Sequence, residues 1–364
     1  MTNPTNLTYC AEFDSLFQHQ VFGLPALEKR AALMPVFNAL HQHHLACSQT
    51  YARLTHGQPL SFRTPDELPY LAVRLFKHYS LSSVPDNEVF RVLQSSGTTS
   101  QSPAKVLLDK ATSARQSKAL VKIMQNFLGK QRLPMLIIDS PSVVKNKALS
   151  ARAAGIQGMA FFGRQPVYAL NEDMSLNSVA IEAFQRQYHA GPVLVFGFTF
   201  MVWEYFVRAL QIAKQRLSMT NATLIHSGGW KTLVDKQVDN PSFKQKVSEV
   251  LGIERVHNFY GMAEQVGTVF VECEHGFLHA PSLAEILIRC PYTLKLQKMG
   301  QSGLVQVLSS IPSSYPGYSL LTEDLGRILG EDDCLCGRKG KYFEILGRLP
   351  KTELRGCSDT MGAG

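Results

Sequence analysis

From about residue 90 onward, short apolar runs alternate with longer stretches in which apolar residues recur every third or fourth position. Met135–Ile138, Val193–Phe196, Thr223–Ile225 and Arg255–Phe259 have the length and side chains of strands. Ser113–Leu128 places Ala114, Leu120, Val121, Met124 and Leu128 on one helical face, and Trp203, Phe206, Val207, Leu210 and Leu217 predict a second such helix. Strands alternating with helices predict an α/β fold of layered sheets with helices covering them. Later, Glu285–Ile288 and the alternating Leu304–Leu308 predict strands of a smaller β-rich subdomain. The first ninety residues read as mostly helical, with proline breaks. This reading divides the chain into a helical N-terminal region (1–90), an α/β core (91–270), a β-rich subdomain (271–347) and a hinge-like C-terminal tail (348–364).

Composition narrows the class. The chain has 364 residues, 45% hydrophobic and 18% charged, so it can bury a sizeable core and is not a disordered chain. The most apolar run, Pro192–Trp203, is broken by Gly197 and Thr199 and is too short for a transmembrane segment. The formal net charge of +8 is spread out, with no run of five Lys/Arg, so a mildly basic soluble protein with no nucleic-acid partner is the ordinary expectation, and a groove for anions such as nucleotide phosphates is the sharper alternative. Seven cysteines cannot all pair within one chain, and no secretory leader pattern opens the sequence. A reduced, cytoplasmic protein is expected, with its cysteines as ligands, nucleophiles or packing groups. His41, His43, His44 and Cys47 cluster early. His43 and Cys47 stand one helical turn apart and could share a metal, but a polar helical face is the better expectation.

The most informative stretch is Gln94–Lys105. Ser95, Ser96, Thr98, Thr99 and Ser100 surround Gly97, and Lys105 follows. Glycine lets backbone N–H groups turn toward an anion, hydroxyls donate hydrogen bonds and lysine adds charge. The ending of a Walker loop is absent, and no G-x-G-x-x-G occurs.

This loop resembles the signature loop of the adenylate-forming superfamily, which closes over the phosphates of ATP; Ser100 and Ala104 depart from the usual pattern. Further matches follow in the same order. His226–Trp230, with Gly228 and Gly229, resembles the Gly-Gly turn beside the adenine. Tyr260–Glu264, with Gly261, resembles the motif whose tyrosine stacks on adenine and whose glutamate holds Mg²⁺, with Ala263 in place of a threonine. Thr322–Asp324 resembles the motif whose aspartate grips the ribose, and Gly347–Gly356 resembles the hinge, with Arg348 reaching the ribose. The resemblance implies the large N-terminal domain of an adenylate-forming enzyme, with ATP and Mg²⁺ as cofactors and residues 91–270 as its nucleotide-binding core. The chain ends at Gly364, soon after the hinge motif, so the usual C-terminal lid domain is expected to be missing.

Cys273, His279, Cys334 and Cys336 have the donor types for a tetrahedral structural Zn²⁺, with His275 a rival for the histidine place. They resemble the Glu-Cys…Leu-His and Cys-x-Cys-Gly-Arg segments of phenylacetate-CoA ligase-like enzymes, in which zinc can be bound. Reduced, packed cysteines are the equal alternative. Cys10, Cys47 and Cys290 are expected to pack.

Over nearly its whole length the chain resembles the acyl-protein synthetase family of bacterial bioluminescence, the long-chain fatty acid–luciferin-component ligases. Asp139–Pro141, Ser150–Ile156 and the ending Arg355–Asp359 carry that likeness. The resemblance implies activation of a long-chain fatty acid to acyl-AMP and acylation of Cys357, which then passes the acyl group to a reductase subunit. Phe196 and Phe198 are candidate linings of an acyl tunnel, with core packing as their more ordinary role. The alternatives are an adenylating ligase that delivers an aromatic or other acid to coenzyme A or a carrier protein, and a non-catalytic nucleotide-binding scaffold.

Overall fold

The structure, a computed structural model, describes residues 4–94, 104–145, 151–229 and 238–349. The chain opens with helices α1 (Pro4–Leu16), α2 (Ala26–Cys47) and α3 (Gln49–Leu54), strand β1 (Leu71–Ala72) and the short helix α4 (Leu75–His78). A separate antiparallel ribbon of β2 (Arg91–Gln94) and β3 (Lys105–Leu108) leads into α5 (Lys110–Leu128), β4 (Leu133–Ile138), α6 (Ser142–Lys145), α7 (Ala151–Met159) and β5 (Gly163–Tyr168). Then come α8 (Ser178–Tyr188), β6 (Val193–Phe198), a π-helical segment over Met201–Val207, α9 (Arg208–Ile212), β7 (Ala222–Ser227), α10 (Asn240–Leu251) and β8 (Arg255–Tyr260). The last third is strand: β9 (Phe270–Glu272), β10 (Leu278–His279), β11 (Ala284–Arg289), β12 (Gly303–Ser309), β13 (Ser319–Glu331) and β14 (Lys341–Arg348).

Local chemistry sets the helix ends. The Asp109 carboxylate accepts the Thr112 N–H at 2.7 Å to start α5, and Asp239 accepts that of Ser242 at 2.8 Å to start α10. Gly252, at φ +70°, ends α10 in the left-handed conformation that a glycine adopts without strain.

Among the described residues one 12-stranded sheet runs β11-β12-β13-β14-β10-β9-β8-β7-β6-β4-β5, with β1 added beside β13. Strands β5, β4, β6, β7 and β8 are parallel; from β9 to β11 every pair is antiparallel. The central parallel strands β4 and β6 are apolar throughout because both faces are covered. Leu136, Ile138, Val193, Val195 and Leu224 face Phe184, Phe206, Phe243 and Val247 on one side. Met135, Ile137, Leu194, Phe196 and Ile225 face Ile123, Met124 and Ile156 on the other. The fold class expected from the periodicity is the one observed. The helix expected from Trp203 to Leu217 is observed only as far as Ile212, as the π-helical segment followed by α9. Lys214 takes a left-handed φ of +53°, and the Leu217 N–H donates to the Val250 carbonyl at 2.8 Å, so the chain leaves the helix to meet α10.

The N-terminal helices pack on the β11–β13 end of the sheet. Several of the attachments are polar and buried. Lys29, at 1% exposure, lies 3.7 Å from the Glu285 carboxylate, which Lys341 also approaches at 3.4 Å. The histidines of α2 do not form the polar face expected of them. His41, His43 and His44 are all buried, because the segment 310–318 lies over them. His44 bonds the Ser83 hydroxyl at 2.8 Å and the Pro312 carbonyl at 3.2 Å; His43 bonds the Ser313 carbonyl; His41 bonds Tyr51, whose hydroxyl meets that of Tyr318. Cys47, expected to pack, is exposed, while Cys10 and Cys290 are half-buried.

Burial pushes the pKa of all three imidazoles below the ordinary value of 6.5, that of His44 well below it. The folded chain therefore refuses protons that the unfolded chain accepts, and stability present above pH 6.5 is lost as pH falls beneath it. The urea midpoint is expected to be lower at pH 5.5 than at pH 7.5, and less so in His44→Gln. An unchanged midpoint contradicts this account.

Candidate active site

Within the parallel strands the order reverses at β4, which has β5 on one side and β6 on the other. Open α/β sheets bind ligands in the crevice beyond the carboxyl ends of strands at such a point. Residues following β4, β6, β7 and β8 gather there. Asp139, buried after β4, forms an ion pair with Arg152 of α7 at 3.2 Å. Phe198, at the end of β6, sits between two glycines: a Cβ on Gly155 would lie 2.8 Å from its ring, and one on Gly228 3.1 Å. Gly228 is also at φ +83°, so this turn after β7 admits no ordinary side chain. Gly229 follows in open space. Phe196, by contrast, is wholly inside the core on the α5–α7 side. His226 is buried, bonded through Nδ1 to the Thr199 hydroxyl at 2.9 Å, and its Nε2 has no hydrogen-bond partner. Burial holds it neutral, with its pKa pushed down to about 3.

The next strand brings three of the motif residues into contact. Tyr260 ends β8, packed against Phe270 and Phe343, and its hydroxyl donates to Asp324 at 2.7 Å. Asp324 stands directly opposite Arg348 in the β13–β14 register, its carboxylate 3.6 Å from the guanidinium. The Thr322 hydroxyl accepts the Asp324 N–H and donates to the Val305 carbonyl, which fixes the turn of that strand. After Gly261 the chain makes a short 3₁₀ turn, Ala263–Gln265, which holds Glu264 at 8% exposure. Gln265 pins this turn by donating to the carbonyls of Val307 and Gly317, and the Tyr315 hydroxyl donates to that of Glu264. Burial raises the Glu264 pKa against a bond from its own backbone and the positive fields of Lys77 and Arg348. A buried carboxylate with Asp324 close by suits a hard cation that also takes water and phosphate oxygens.

Tyr260, Gly261, Glu264, Asp324 and Arg348 therefore form one group, with Gly228 and Gly229 at the end of the neighbouring strand β7. Lys105 opens β3, exposed and paired with Gln94, on a strand that packs against the Glu264 turn. Ser95, Ser96, Gly97, Thr98, Thr99 and Cys357 lie outside the described residues.

The second cluster is built by neighbouring strands. Cys273 follows β9, His279 lies on β10, and Cys334 and Cys336 precede β14, the strand beside β10. Their donor atoms all lie within 4.8 Å of one another, with Cys273 Sγ 4.0 Å from Cys334 Sγ and Cys336 Sγ 3.4 Å from His279 Nε2. Ligands about 2.3 Å from a tetrahedral zinc are about 3.8 Å apart, so the donor set fits that ion. His275 is outside the quartet. Burial pushes the Cys334 thiol up to about 12 and raises that of Cys273. Burial opposes ionisation of Cys336 too, but hydrogen bonds from Arg338 outweigh it and lower its pKa. Burial and the nearby Arg338 push His279 down to about 4, and its Nδ1 is buried without a hydrogen-bond partner.

The sequence offers Glu272 only as the neighbour of Cys273 in the Glu-Cys segment, with no role of its own, and it is 1% exposed. It accepts the Asn258 backbone N–H at 2.9 Å and the Asn240 amide at 2.6 Å, and pairs with Lys244 at 2.6 Å. It thus holds β8, which carries Tyr260, against β9, which leads to Cys273. Asn258 keeps a buried, unpartnered Oδ1 two residues before Tyr260.

The fold is that of the adenylate-forming enzymes. A solved 2-hydroxyisobutyryl-CoA ligase, in an open conformation with 2-HIB-AMP and CoA, matches with a TM-score of 0.68 at 18% identity, over 93% of this chain and 79% of its own. Within that class the chain belongs to the acyl-protein synthetase (LuxE) family, whose model matches residues 2–363. Two curated relatives are long-chain-fatty-acid–luciferin-component ligases. That of Vibrio harveyi is 29% identical over 141 residues, and that of Aliivibrio fischeri 27% over 142. Each match spans 38% of this chain and 36% of the relative's length. No helix among the described residues is long and apolar enough to cross a membrane.

Removing the Glu272 carboxylate leaves Lys244, Asn240 and the Asn258 N–H without their shared acceptor. Glu272→Ala is expected to cost about 3 kcal/mol of unfolding free energy. An equilibrium urea titration checks this, and a variant within about 0.5 kcal/mol of wild type contradicts it.

Proposed function

We propose that the chain activates a long-chain fatty acid with ATP and transfers the acyl group to a protein thiol. The observation that carries this reading is the bonded group Tyr260–Asp324–Arg348 beside buried Glu264, in a member of the acyl-protein synthetase family. Tyr260 presents its ring to the adenine, while Asp324 accepts from the ribose hydroxyls and Arg348 holds Asp324 in place. Glu264 would hold Mg²⁺, and that ion would supply charge neutralisation at the phosphates.

In the first step a carboxylate oxygen of the fatty acid attacks the α-phosphorus, the bond to the β-phosphate breaks, and pyrophosphate leaves. In the second the Cys357 thiolate attacks the acyl carbonyl and AMP leaves with the electron pair of the broken C–O bond. The product is a thioester whose acyl group a reductase partner consumes. A fixed constellation of donors and charges suits this chemistry, because both steps build negative charge on phosphate or carbonyl oxygen. Phe198, wedged between Gly155 and Gly228 at the carboxyl end of β6, is assigned to the acyl chain.

We further assign a structural Zn²⁺ to Cys273, His279, Cys334 and Cys336. Their donor types and mutual separation support it. This ion would tie β9 and β10 to the loop before β14 and take no part in the reaction.

Incubation with labelled long-chain fatty acid, ATP and Mg²⁺, with and without coenzyme A, followed by denaturing separation, is expected to leave label on the wild-type chain. Hydroxylamine should release it, and Cys357→Ser should lack it. Label retained on Cys357→Ser removes Cys357 as the nucleophile, and label appearing on coenzyme A instead points to the acid–CoA ligase alternative. Elemental analysis is expected to find about one zinc per chain, lost in Cys334→Ser/Cys336→Ser. Equal zinc content in the two proteins removes the site.

A further inference from the structure

The crevice beyond β4 and β6 holds a cation that the nucleotide group does not use. Arg152 lies on α7, whose Ala153 and Ile156 pack on one face of the parallel sheet. Its side chain crosses the carboxyl ends of the strands toward the other face. Nε lies 3.2 Å from the carboxylate of Asp139, the residue after β4. A terminal N–H donates at 3.6 Å to the sulfur of Met201, which follows β6 and packs in the opposite layer with Val202 and Phe206. Asp139 is a fixed counter-ion: it is 1% exposed, and its other oxygen accepts the Ser140 N–H at 2.8 Å. A guanidinium has five N–H donors, and a thioether is a weak acceptor. Among the described residues, Asp139 and Met201 are the polar contacts of Arg152, and 28% of its side chain remains exposed. Gly155, three residues on and on the same helical face, leaves the space that the tip of the Phe198 ring fills. A half-open cation with spare donors therefore stands beside an apolar wall, at the point where the strand order reverses.

We propose that Arg152 is a substrate-binding residue whose terminal amino groups hold the carboxylate of the acid, with Phe198 against the first carbons of its chain. The assignment deepens the fatty-acid reading above and rests on it. With Nε turned to Asp139, the guanidinium plane is fixed, and its two terminal nitrogens share an outer edge that matches the two oxygens of a carboxylate. The weak bond to the Met201 sulfur is little to lose when a carboxylate replaces it. One end of the pocket is then charged and the rest apolar, which suits an amphiphile. The nucleotide group is centred on β8, and β7 with its Gly228 turn separates β8 from β6, so acid and nucleotide meet from neighbouring strands. Two other roles compete: Arg152 only neutralises the buried Asp139, or it takes a nucleotide phosphate. Neither makes the chain prefer an acid to an uncharged analogue of the same length.

Calorimetric titration of the full chain with dodecanoate, dodecanol and, separately, Mg·ATP decides between these. Arg152→Gln leaves Asp139 buried without its cation, so Asp139→Asn/Arg152→Gln, which removes both charges, is measured beside it. The double variant is expected to bind dodecanoate about tenfold more weakly, with dodecanol and Mg·ATP affinities unchanged, and Arg152→Lys to recover part of the loss. A thermal melt on each variant identifies misfolding, which would weaken all three ligands together. Dodecanoate affinity retained in the double variant, or acid and alcohol weakened equally, overturns the assignment; Mg·ATP weakened with dodecanoate retained gives Arg152 to a phosphate instead. Wild-type chain that binds neither acid nor alcohol overturns the fatty-acid reading, and Arg152's role with it. Wild-type chain that binds the acid no more tightly than the alcohol overturns only the latter.

Discussion

The hydrogen bond from Tyr260 to Asp324 joins the two halves of the sheet at the point where the chemistry is proposed to occur. Tyr260 ends the last parallel strand, and Asp324 belongs to the antiparallel half. Between them in the sheet lie β9, β10 and β14, so their proximity depends on each of those pairings. Glu272 secures the first of these by tying β8 to β9 and α10, and the β13–β14 register then sets Arg348 opposite Asp324. The N-terminal helices support the same arrangement from behind, through buried histidines and tyrosines that bond the segment carrying Tyr315 and Tyr318.

Much of the core was legible because its strands are buried on both faces. Met135–Ile138 and Val193–Phe196 have no polar side to hide, so an apolar run is enough to mark them. Charged and polar residues that the fold buries were not legible. Glu272, Lys29 and Glu285 carry no local mark of burial, and the histidines of α2 read as a polar face because nothing nearby in sequence announces the segment that covers them. The helix expected through Leu217 failed for a related reason, since the residue that ends it responds to a contact with α10. Within the candidate site, motif order pointed to Tyr260, Asp324 and Arg348 one by one. Their bonding to each other is long-range and appears only once the sheet is assembled.

The four candidate zinc ligands follow the same logic. Residues around 273 and 279 are far from 334 and 336 along the chain, yet β9, β10 and β14 are neighbours, so the donors collect at one end of three adjacent strands. Both clusters thus use the antiparallel half of the sheet to gather distant residues. One is closed and thiol-rich, suited to holding structure together. The other is open and carries carboxylates and cations, suited to a nucleotide.

The central claim is that this open site forms an acyl-adenylate. Exchange of labelled pyrophosphate into ATP, driven by a long-chain fatty acid and run on the intact chain with and without a reductase partner, measures that step alone. The account predicts exchange that requires both the acid and Mg²⁺ and falls at least about a hundredfold in Asp324→Ala, an interaction loss of roughly 3 kcal/mol. Absence of exchange with every acid tried, or exchange indifferent to Asp324, contradicts it.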